Sequence, residues 1–526
     1  MDPNPPQGNA AVIRELLREL DRLGVVEYCV AAGARNAPLL AALAQRKKAG
    51  KFLHFFEERS AGFFALGRVM DTRKPVAVFT TSGTAVAELL PAVIEAYYQG
   101  LPLVVVSADR PSHYRGSGAP QAIEQVGIFG KYVVREAEIE WLAGHGLQLS
   151  DGMATDGGPM HFNVCLEEGM EVPLMEDEDP GEAFRIDESR CEFYQQDWQE
   201  FWDAEGDLVV LAGGIHPGDV PAARDFLIKL NAPVVMEATS NLTDDPALAA
   251  LRLHGGEKAL ASLQATRVLR LGSVPSWRWW RDLEKREDVK VLNVSRAPFR
   301  GLARSQGVSV VPWEMLKEGF KVQGLRFKEG ARASSLTEVL EAYPQAEPAW
   351  MKHLSRVIGE GATVMMGNSL PIREWNLAAD TPKPGTRFFA NRGANGIDGL
   401  VSTWLGVSAE AKESWLVLGD LSALYDLSAP WILPQLPDAK RRIVVINNGG
   451  GQIFSRVSWL KGADAQTKRA MVNPHDISFE PWAKLWNMEY RLFTDWQSLQ
   501  DDDTPSAIWE VRPDVAETEA FWQAWK

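Results

Sequence analysis

The stretch Trp415-Leu-Val-Leu-Gly419-Asp420, followed by Ile446-Asn447-Asn448-Gly449-Gly450-Gly451, decides how this chain reads. Each half closes an apolar run of strand character with small and polar residues. In a parallel sheet the carboxyl ends of the strands open into one crevice, where ligands of open α/β folds sit. Asp420 offers a hard carboxylate oxygen there and Asn448 an amide oxygen, a pair that suits Mg²⁺, which completes its octahedron with water and phosphate oxygens. Gly419 is expected to let the chain turn, and the glycines after Asn448 to let the backbone approach a diphosphate, with the Gly450 carbonyl joining the metal shell. Either half alone is more often a plain strand-end turn or surface loop. Their combination, with Asp420 and Asn448 28 positions apart, reverses that balance.

Working outward, the same alternation of strand-like runs and helical stretches recurs along the chain. Asn9 to Leu23 has apolar residues at helical spacing. Val25 to Ala32, Phe52 to Phe56, Pro75 to Thr80 and Leu101 to Ser107 read as strands, with helices over Ala61 to Met70 and Thr84 to Tyr98. A second set of strands is expected at Leu208 to Ala212, Pro233 to Glu237, Val268 to Leu271 and Val289 to Val294. A third is expected at Thr363 to Met366, Thr386 to Ala390, Trp415 to Leu418, Arg442 to Ile446 and Ala507 to Val511. Apolar strands alternating with amphipathic helices predict an α/β protein: three consecutive α/β domains with mostly parallel sheets, over residues 1–180, 190–325 and 335–526. The acidic stretch Glu176 to Glu182 and the polar passage Gln323 to Ser335 are the expected linkers.

Composition excludes several classes. A chain of 526 residues with 45% hydrophobic and 24% charged residues can bury large cores. Its net charge of -15, with no run of Lys and Arg, argues against a nucleic-acid partner. Cys29, Cys165 and Cys191 are too few and too scattered for a disulfide framework or a zinc pair, and no ligand-spaced histidines appear. There is no GxGxxG fingerprint of a Rossmann dehydrogenase. With no signal-like leader and no apolar stretch long enough for a membrane span, a cytoplasmic location is expected.

A second constellation is Phe55-Phe56-Glu57-Glu58-Arg59-Ser60-Ala61-Gly62, two acids between an apolar strand and a helix. A carboxyl desolvated at such a place is a good proton donor. Alternatively both acids simply decorate a helix N-terminus, where negative charge is favourable.

The Gly-Asp and Asn-Asn pair resembles the thiamine-diphosphate motif, and the Glu57-Glu58-Arg59-Ser60 run resembles the site of the glutamate that works on that cofactor. Further segments make the resemblance specific: Ala32-Gly-Ala34-Arg35-Asn-Ala-Pro-Leu39, Thr81-Ser82-Gly83-Thr84, Ser107-Ala-Asp-Arg110-Pro111, Gly367-Asn-Ser369-Leu370, Asn391-Arg392-Gly-Ala-Asn-Gly-Ile397-Asp-Gly399, Gly419-Asp420-Leu421-Ser422 and Asn448 to Ser455. They are similar to the 2-succinyl-5-enolpyruvyl-6-hydroxy-3-cyclohexene-1-carboxylate synthases of menaquinone biosynthesis, well in the first and third domains and weakly in the middle one. Leu421 is itself the synthase form of the motif.

The resemblance implies a thiamine-diphosphate-binding fold and a transferase that decarboxylates 2-oxoglutarate and adds the resulting carbanion to isochorismate. The N-terminal domain is then the aminopyrimidine-binding one, and the C-terminal domain holds the diphosphate and Mg²⁺, with Mn²⁺ as a substitute. Glu58, Arg35 and Gln121 become catalytic. The cofactor falls to Glu58, Ser82, Gly83, Arg392, Ile397, Gly419, Asp420, Leu421, Ser422, Asn448, Gly450, Gln452, Ile453 and Phe454, and the metal to Asp420, Asn448 and Gly450. Arg35, Arg110, Gln121, Arg278, Ser369, Arg373 and Arg392 match substrate-binding positions, bidentate guanidinium being suited to the two carboxylates of each substrate. A homodimer or homotetramer with active sites at subunit interfaces is implied, with no membrane partner.

Two positions depart from the pattern. Ala34 stands where many relatives have Ser, and Trp277 where a Lys is common beside Arg278. Another thiamine enzyme, such as an acetohydroxyacid synthase or 2-oxoacid decarboxylase, shares the architecture but needs fewer arginines. A non-catalytic binding protein of the same fold would have no use for the intact set Glu58, Asp420 and Asn448.

Overall fold

The apolar runs become parallel strands because they are covered on both faces, so every position along them is selected for burial. A computed structural model describes residues 7–46, 50–151, 157–170, 172, 191–318, 334–457, 460 and 462–525. The acidic stretch Glu176 to Glu182 and most of Gln323 to Ser335 lie outside these residues.

Three sheets are present. The first contains β1 (Glu27–Ala31), β2 (Lys51–Phe55), β3 (Val76–Thr80), β4 (Leu103–Asp109), β5 (Arg135–Leu142), β6 (Gly146–Asp151) and β7 (Met160–Cys165), in the order β2-β1-β3-β4-β7-β5-β6. All its pairs are parallel except β5 with β6. The second contains β8 (Leu208–Ala212), β9 (Val234–Met236), β10 (Arg267–Leu271), β11 (Lys290–Val294) and β12 (Val308–Val311), ordered β12-β11-β10-β8-β9 and wholly parallel. The third contains β13 (Thr363–Met366), β14 (Arg387–Phe389), β15 (Glu413–Gly419), β16 (Lys440–Ile446), β17 (Glu489–Phe493) and β18 (Ser506–Val511), ordered β14-β13-β15-β16-β18-β17 and also parallel.

The strands expected from apolar runs are all present, within a residue or two. Those not anticipated are β5 to β7, β12 and β17; β5 and β17 carry charge along their length, while β7 and β12 do not. β5 reads Arg135-Glu-Ala-Glu-Ile-Glu140, and the edge strand β17 reads Glu489-Tyr-Arg-Leu-Phe493. The helix expected over Thr84 to Tyr98 is two helices, Thr84–Ala87 and Leu90–Gln99. Pro91, in the first turn of the second, lacks the N–H that would continue the first.

The chain forms two compact units: Met1–Glu188 with Ser402–Ala409 and Ser428–Pro437, and Ser189–Val401 with Glu410–Leu427 and Asp438–Lys526. In the first unit the helix Glu58–Thr72 packs on β1 and β3. Later segments of the chain meet it backbone to backbone. A Cβ on Gly67 would stand 2.1 Å from the Thr403 carbonyl oxygen, and one on Gly406 would stand 2.2 Å from that of Phe64. Arg68, buried, completes the seam with an ion pair to Glu27 at 2.7 Å and a hydrogen bond to the Gly406 carbonyl. The second unit holds an apolar cluster on the third sheet around Trp350, Trp375, Trp415 and Trp509, and two on the second sheet.

Because backbone cannot yield as a side chain does, Gly67→Ala should cost about 1–3 kcal/mol, the usual range for overpacking. Gly462→Ala, where a Cβ meets nothing within 4 Å, should be nearly neutral. The difference is measurable as a lowered thermal midpoint of the first variant alone.

Candidate functional site

In the first unit the candidate residues gather at the carboxyl ends of neighbouring strands. Arg35 follows β1, Glu57 and Glu58 follow β2, Ser82 and Gly83 follow β3, and Arg110 follows β4. The two acids are used differently. Glu57 caps the helix Glu58–Thr72, accepting from the amides of Arg59 and Ser60 at 3.0 Å each, and its Oε2 also accepts from the hydroxyls of Ser60 and of Ser428, the latter at 3.1 Å. Glu58 is half-buried. Burial first, then the negative charges of Glu57 and Glu88, push its carboxyl above the ordinary carboxylate range. Glu57 is thus the cap itself, while Glu58 is the first-turn acid whose carboxyl is raised by burial.

Gly83 has φ +88, a conformation that favours glycine, and a Cβ there would meet Gln121 at 3.2 Å. Gln121 also has positive φ, at 58, and its amide reaches toward the Ser82 carbonyl at 3.4 Å. The turn is held from beneath by Gln125, which sequence reasoning missed. Fully buried, Gln125 accepts the Gly83 N–H at 2.9 Å and donates to Asn163 Oδ1 at 2.9 Å. No local pattern marks it, because its partners come from β3 and β7. Arg35 donates to the Leu166 carbonyl at 2.9 Å, and both it and Arg110 lie near the exposed carboxylate of Glu168, at 3.4 and 3.8 Å. Ala34 is exposed.

In the second unit Asp420 and the Asn448 loop meet after β15 and β16, which pair in register as far as Gly419 opposite Ile446. The Gly450 amide donates to Asp420 Oδ2 at 2.9 Å, and the Leu421 amide to Oδ1 at 2.6 Å. Asp420 is buried, and burial raises its pKa against the pull of these donors. His475, another residue missed in sequence, has Nε2 3.3 Å from Asp420 Oδ2. Gly449 and Gly450 have φ of +77 and +129, and a Cβ on Gly450 would stand 2.5 Å from the Val472 carbonyl. Gly419 does not turn the chain as expected. Its φ is −80, open to any residue, and a Cβ on it would meet nothing within 4 Å. What glycine supplies there is open space beside Asp420.

Asn448 donates through Nδ2 to both oxygens of Glu347, at 3.1 and 3.0 Å, which turns its Oδ1 away from that acid. A buried hard carboxylate, an amide oxygen so turned and a glycine backbone free of side chains are a donor set that fits Mg²⁺ and a diphosphate. Ser422 is buried beside Asp420, while Leu421 and the short helix Gln452–Arg456, with Gln452, Ile453 and Phe454, are half-buried. Behind Asn448, burial and the charge of Glu347 hold the Glu374 carboxyl well above the usual range, and Arg456 donates to it at 2.7 Å.

The remaining arginines divide. Arg392, buried, donates to Asn368 Oδ1 at 3.0 Å and to the Val274 carbonyl at 3.3 Å, and Asn368 in turn holds the carbonyls of Asn391 and Gly396 in the loop that carries Ile397. Arg373 donates to the Ser276 carbonyl at 3.1 Å and to the carbonyl of Ser369, a residue held at φ 74 just before the helix Leu370–Ala378. Burial, then Arg392, lowers the Arg373 pKa. Glu237, just after β9 and fully buried, reaches the same turn by accepting from the Ser276 amide at 2.6 Å. Arg278 differs: its side chain is 69% exposed and lies 3.9 Å from Asp282, and among the charges that bear on Arg373 stand Arg392, Glu237, Glu257 and Arg281, but not Arg278. Trp277 is buried in the second sheet's cluster, which removes it from any polar role.

No helix among the described residues is long and apolar enough to cross a membrane. Among known proteins, residues 11–128 match the family model "Thiamine pyrophosphate enzyme, N-terminal TPP binding domain". The solved structure of a benzoylformate decarboxylase from Polynucleobacter necessarius superposes with a TM-score of 0.69, covering 96% of this chain and 98% of that one at 14% identity, a likeness of fold. The 2-succinyl-5-enolpyruvyl-6-hydroxy-3-cyclohexene-1-carboxylate synthase of Bdellovibrio bacteriovorus is 40% identical over 98% of this chain and 98% of its own length. That of Akkermansia muciniphila is 40% identical over 97% of each. Identity at that level from end to end, on a fold built of three mostly parallel sheets, means that the chain belongs to the 2-succinyl-5-enolpyruvyl-6-hydroxy-3-cyclohexene-1-carboxylate synthase family.

Proposed function

We propose that the protein is a thiamine-diphosphate- and Mg²⁺-dependent transferase that decarboxylates 2-oxoglutarate and joins the remaining fragment to isochorismate. The observation that carries this reading is the end-to-end 40% identity to synthases of that name. Another thiamine carboligase, such as an acetohydroxyacid synthase, draws no support from these relatives. Thiamine diphosphate, when bound, supplies the nucleophilic carbon and the electron sink that decarboxylation and carbon–carbon bond formation require.

The residues divide the remaining work. Glu58, beside the cap residue and with its proton held more tightly by burial, donates to the ring nitrogen of the aminopyrimidine. Ser82, Gly83 and Gln121 shape the neighbouring turn. Asp420, Asn448 and the Gly450 carbonyl hold Mg²⁺, and Gly419, Leu421, Ser422, Gln452, Ile453, Phe454, Arg392 and Ile397 line the cofactor. Ser369 and Arg373 take the far carboxylate of 2-oxoglutarate, while Arg35 and Arg110, which already share one carboxylate in Glu168, take isochorismate. Arg278 is the residue of this set with least support. In this reading the working assembly is a homodimer or homotetramer, with Glu58 of one chain serving the metal residues of another.

The direct test mixes the protein with thiamine diphosphate, Mg²⁺, 2-oxoglutarate and isochorismate and identifies the product by mass. Absence of the joined product despite bound cofactor would overturn the reading. Glu58→Gln removes an ionisable proton and little volume, so turnover should vanish while circular dichroism stays unchanged. Arg373→Ala leaves a substrate carboxylate unpaired in a poorly solvated place, a loss on the order of 2–4 kcal/mol. That loss should appear in the 2-oxoglutarate step. Arg35→Ala should spare decarboxylation and slow only the capture of isochorismate, and stopped-flow spectra separate the two stages.

A further inference from the structure

Asn448 poses a problem that its sequence motif does not solve. An asparagine side chain is a ligand through its oxygen only, and rotation by half a turn about its last bond exchanges that oxygen for a nitrogen that no cation accepts. Some neighbour must decide between the two orientations. The backbone of the loop does not, since Gly450 donates to Asp420 and the Asn448 carbonyl accepts from Gln452 at 3.3 Å whichever way the amide faces.

Glu347 does decide. Its two oxygens lie 3.1 and 3.0 Å from Asn448 Nδ2, so an amide turned the other way would set its oxygen against both oxygens of a carboxyl group. Glu347 is itself buried and anchored. It is 2% exposed, opens the helix Glu347–Val357, and has its amide bound to Thr518 Oγ1 at 2.9 Å. Arg456 lies 4.0 Å from its Oε2 while donating to Glu374, which shares a side-chain hydrogen bond with Glu347.

We propose that Glu347 is a positioning residue that fixes the orientation of the Asn448 amide and thereby presents Oδ1 to the divalent cation. It touches neither metal nor cofactor. The proposal rests on the reading of Asp420 and Asn448 as metal ligands and adds a residue that the motif does not contain, 101 positions away in sequence. Outer partners of this kind typically govern metal affinity by roughly 10–100-fold when removed.

The test reads the Mg²⁺ concentration that half-saturates the change in tryptophan fluorescence of the full chain at fixed thiamine diphosphate, with thermal unfolding of each variant as a check on folding. Glu347→Gln can accept or donate, so the preference for one orientation is lost, and the half-saturating Mg²⁺ should rise about tenfold or more. Asn448→Asp offers a harder oxygen but sets a second carboxylate against Glu347, so Mg²⁺ binding should fall further. Combining the two substitutions lets the amide introduced by Glu347→Gln donate to the far oxygen of the new aspartate, and should recover most of the affinity lost in Asn448→Asp. A merely structural role for Glu347 makes the double variant worse than either single one, and that outcome overturns the proposal. Asp420→Ala separates the two levels of the argument. If it abolishes the Mg²⁺ response while the double variant fails to recover, the metal reading stands and the role of Glu347 falls. If Asp420→Ala binds Mg²⁺ like the parent, the metal reading falls and the inference with it.

Discussion

The hydrogen bond from the Gly450 amide to Asp420 Oδ2 ties the loop after β16 to the residue that follows β15, and the candidate site at that end of the third sheet is organised around it. It is short-range, yet it depends on the whole sheet. The two strands must run parallel and in register from Glu413 opposite Lys440 to Gly419 opposite Ile446 for their ends to meet. A carboxylate buried at that point is costly unless donors and a cation answer it. Two backbone amides supply part of the answer, and an unfilled space over Gly419 leaves room for the rest.

How much of this could be read from sequence follows from the range of each interaction. Strand-end motifs are local, so Asp420, Asn448, Glu58 and Arg392 stand out along the chain. Most apolar strands of the three sheets stand out too, because burial on both faces writes itself into consecutive residues, though β7 and the short β12 did not. β5 and β17 escaped because alternating or edge strands carry charge that reads as loop. Gln125, His475, Glu237 and Glu347 escaped for a different reason. Each acts on a residue tens of positions away, and its own neighbours in sequence give no sign of it. The glycine at 419 was noticed, but for a conformational reason that its φ of −80 does not require.

Glu57 and Glu58 show how a structure separates two residues that sequence leaves equivalent. Both acids stand at one helix N-terminus, and only one can occupy the cap. Glu57 does, spending its oxygens on two amides and two hydroxyls. Its charge then acts on Glu58, adding to burial in holding that proton. The cap is thus part of the electrostatics of its neighbour, and the pair of acids is needed where either alone would be an ordinary helix start.

The turn Val274-Pro-Ser276 gives the second sheet a part in a site whose motifs lie elsewhere. Its carbonyls hold Arg392 and Arg373 by one nitrogen each, so both guanidinium groups are aimed by backbone that belongs to the second sheet's loops. Two cations in so little water raise each other's cost, as the lowered pKa of Arg373 registers. Glu237, bonded to the same turn through Ser276, offsets part of that cost from within. On the proposed reading, a substrate carboxylate would meet donors already oriented by that turn, and its charge would lower the cost of burying both guanidinium groups.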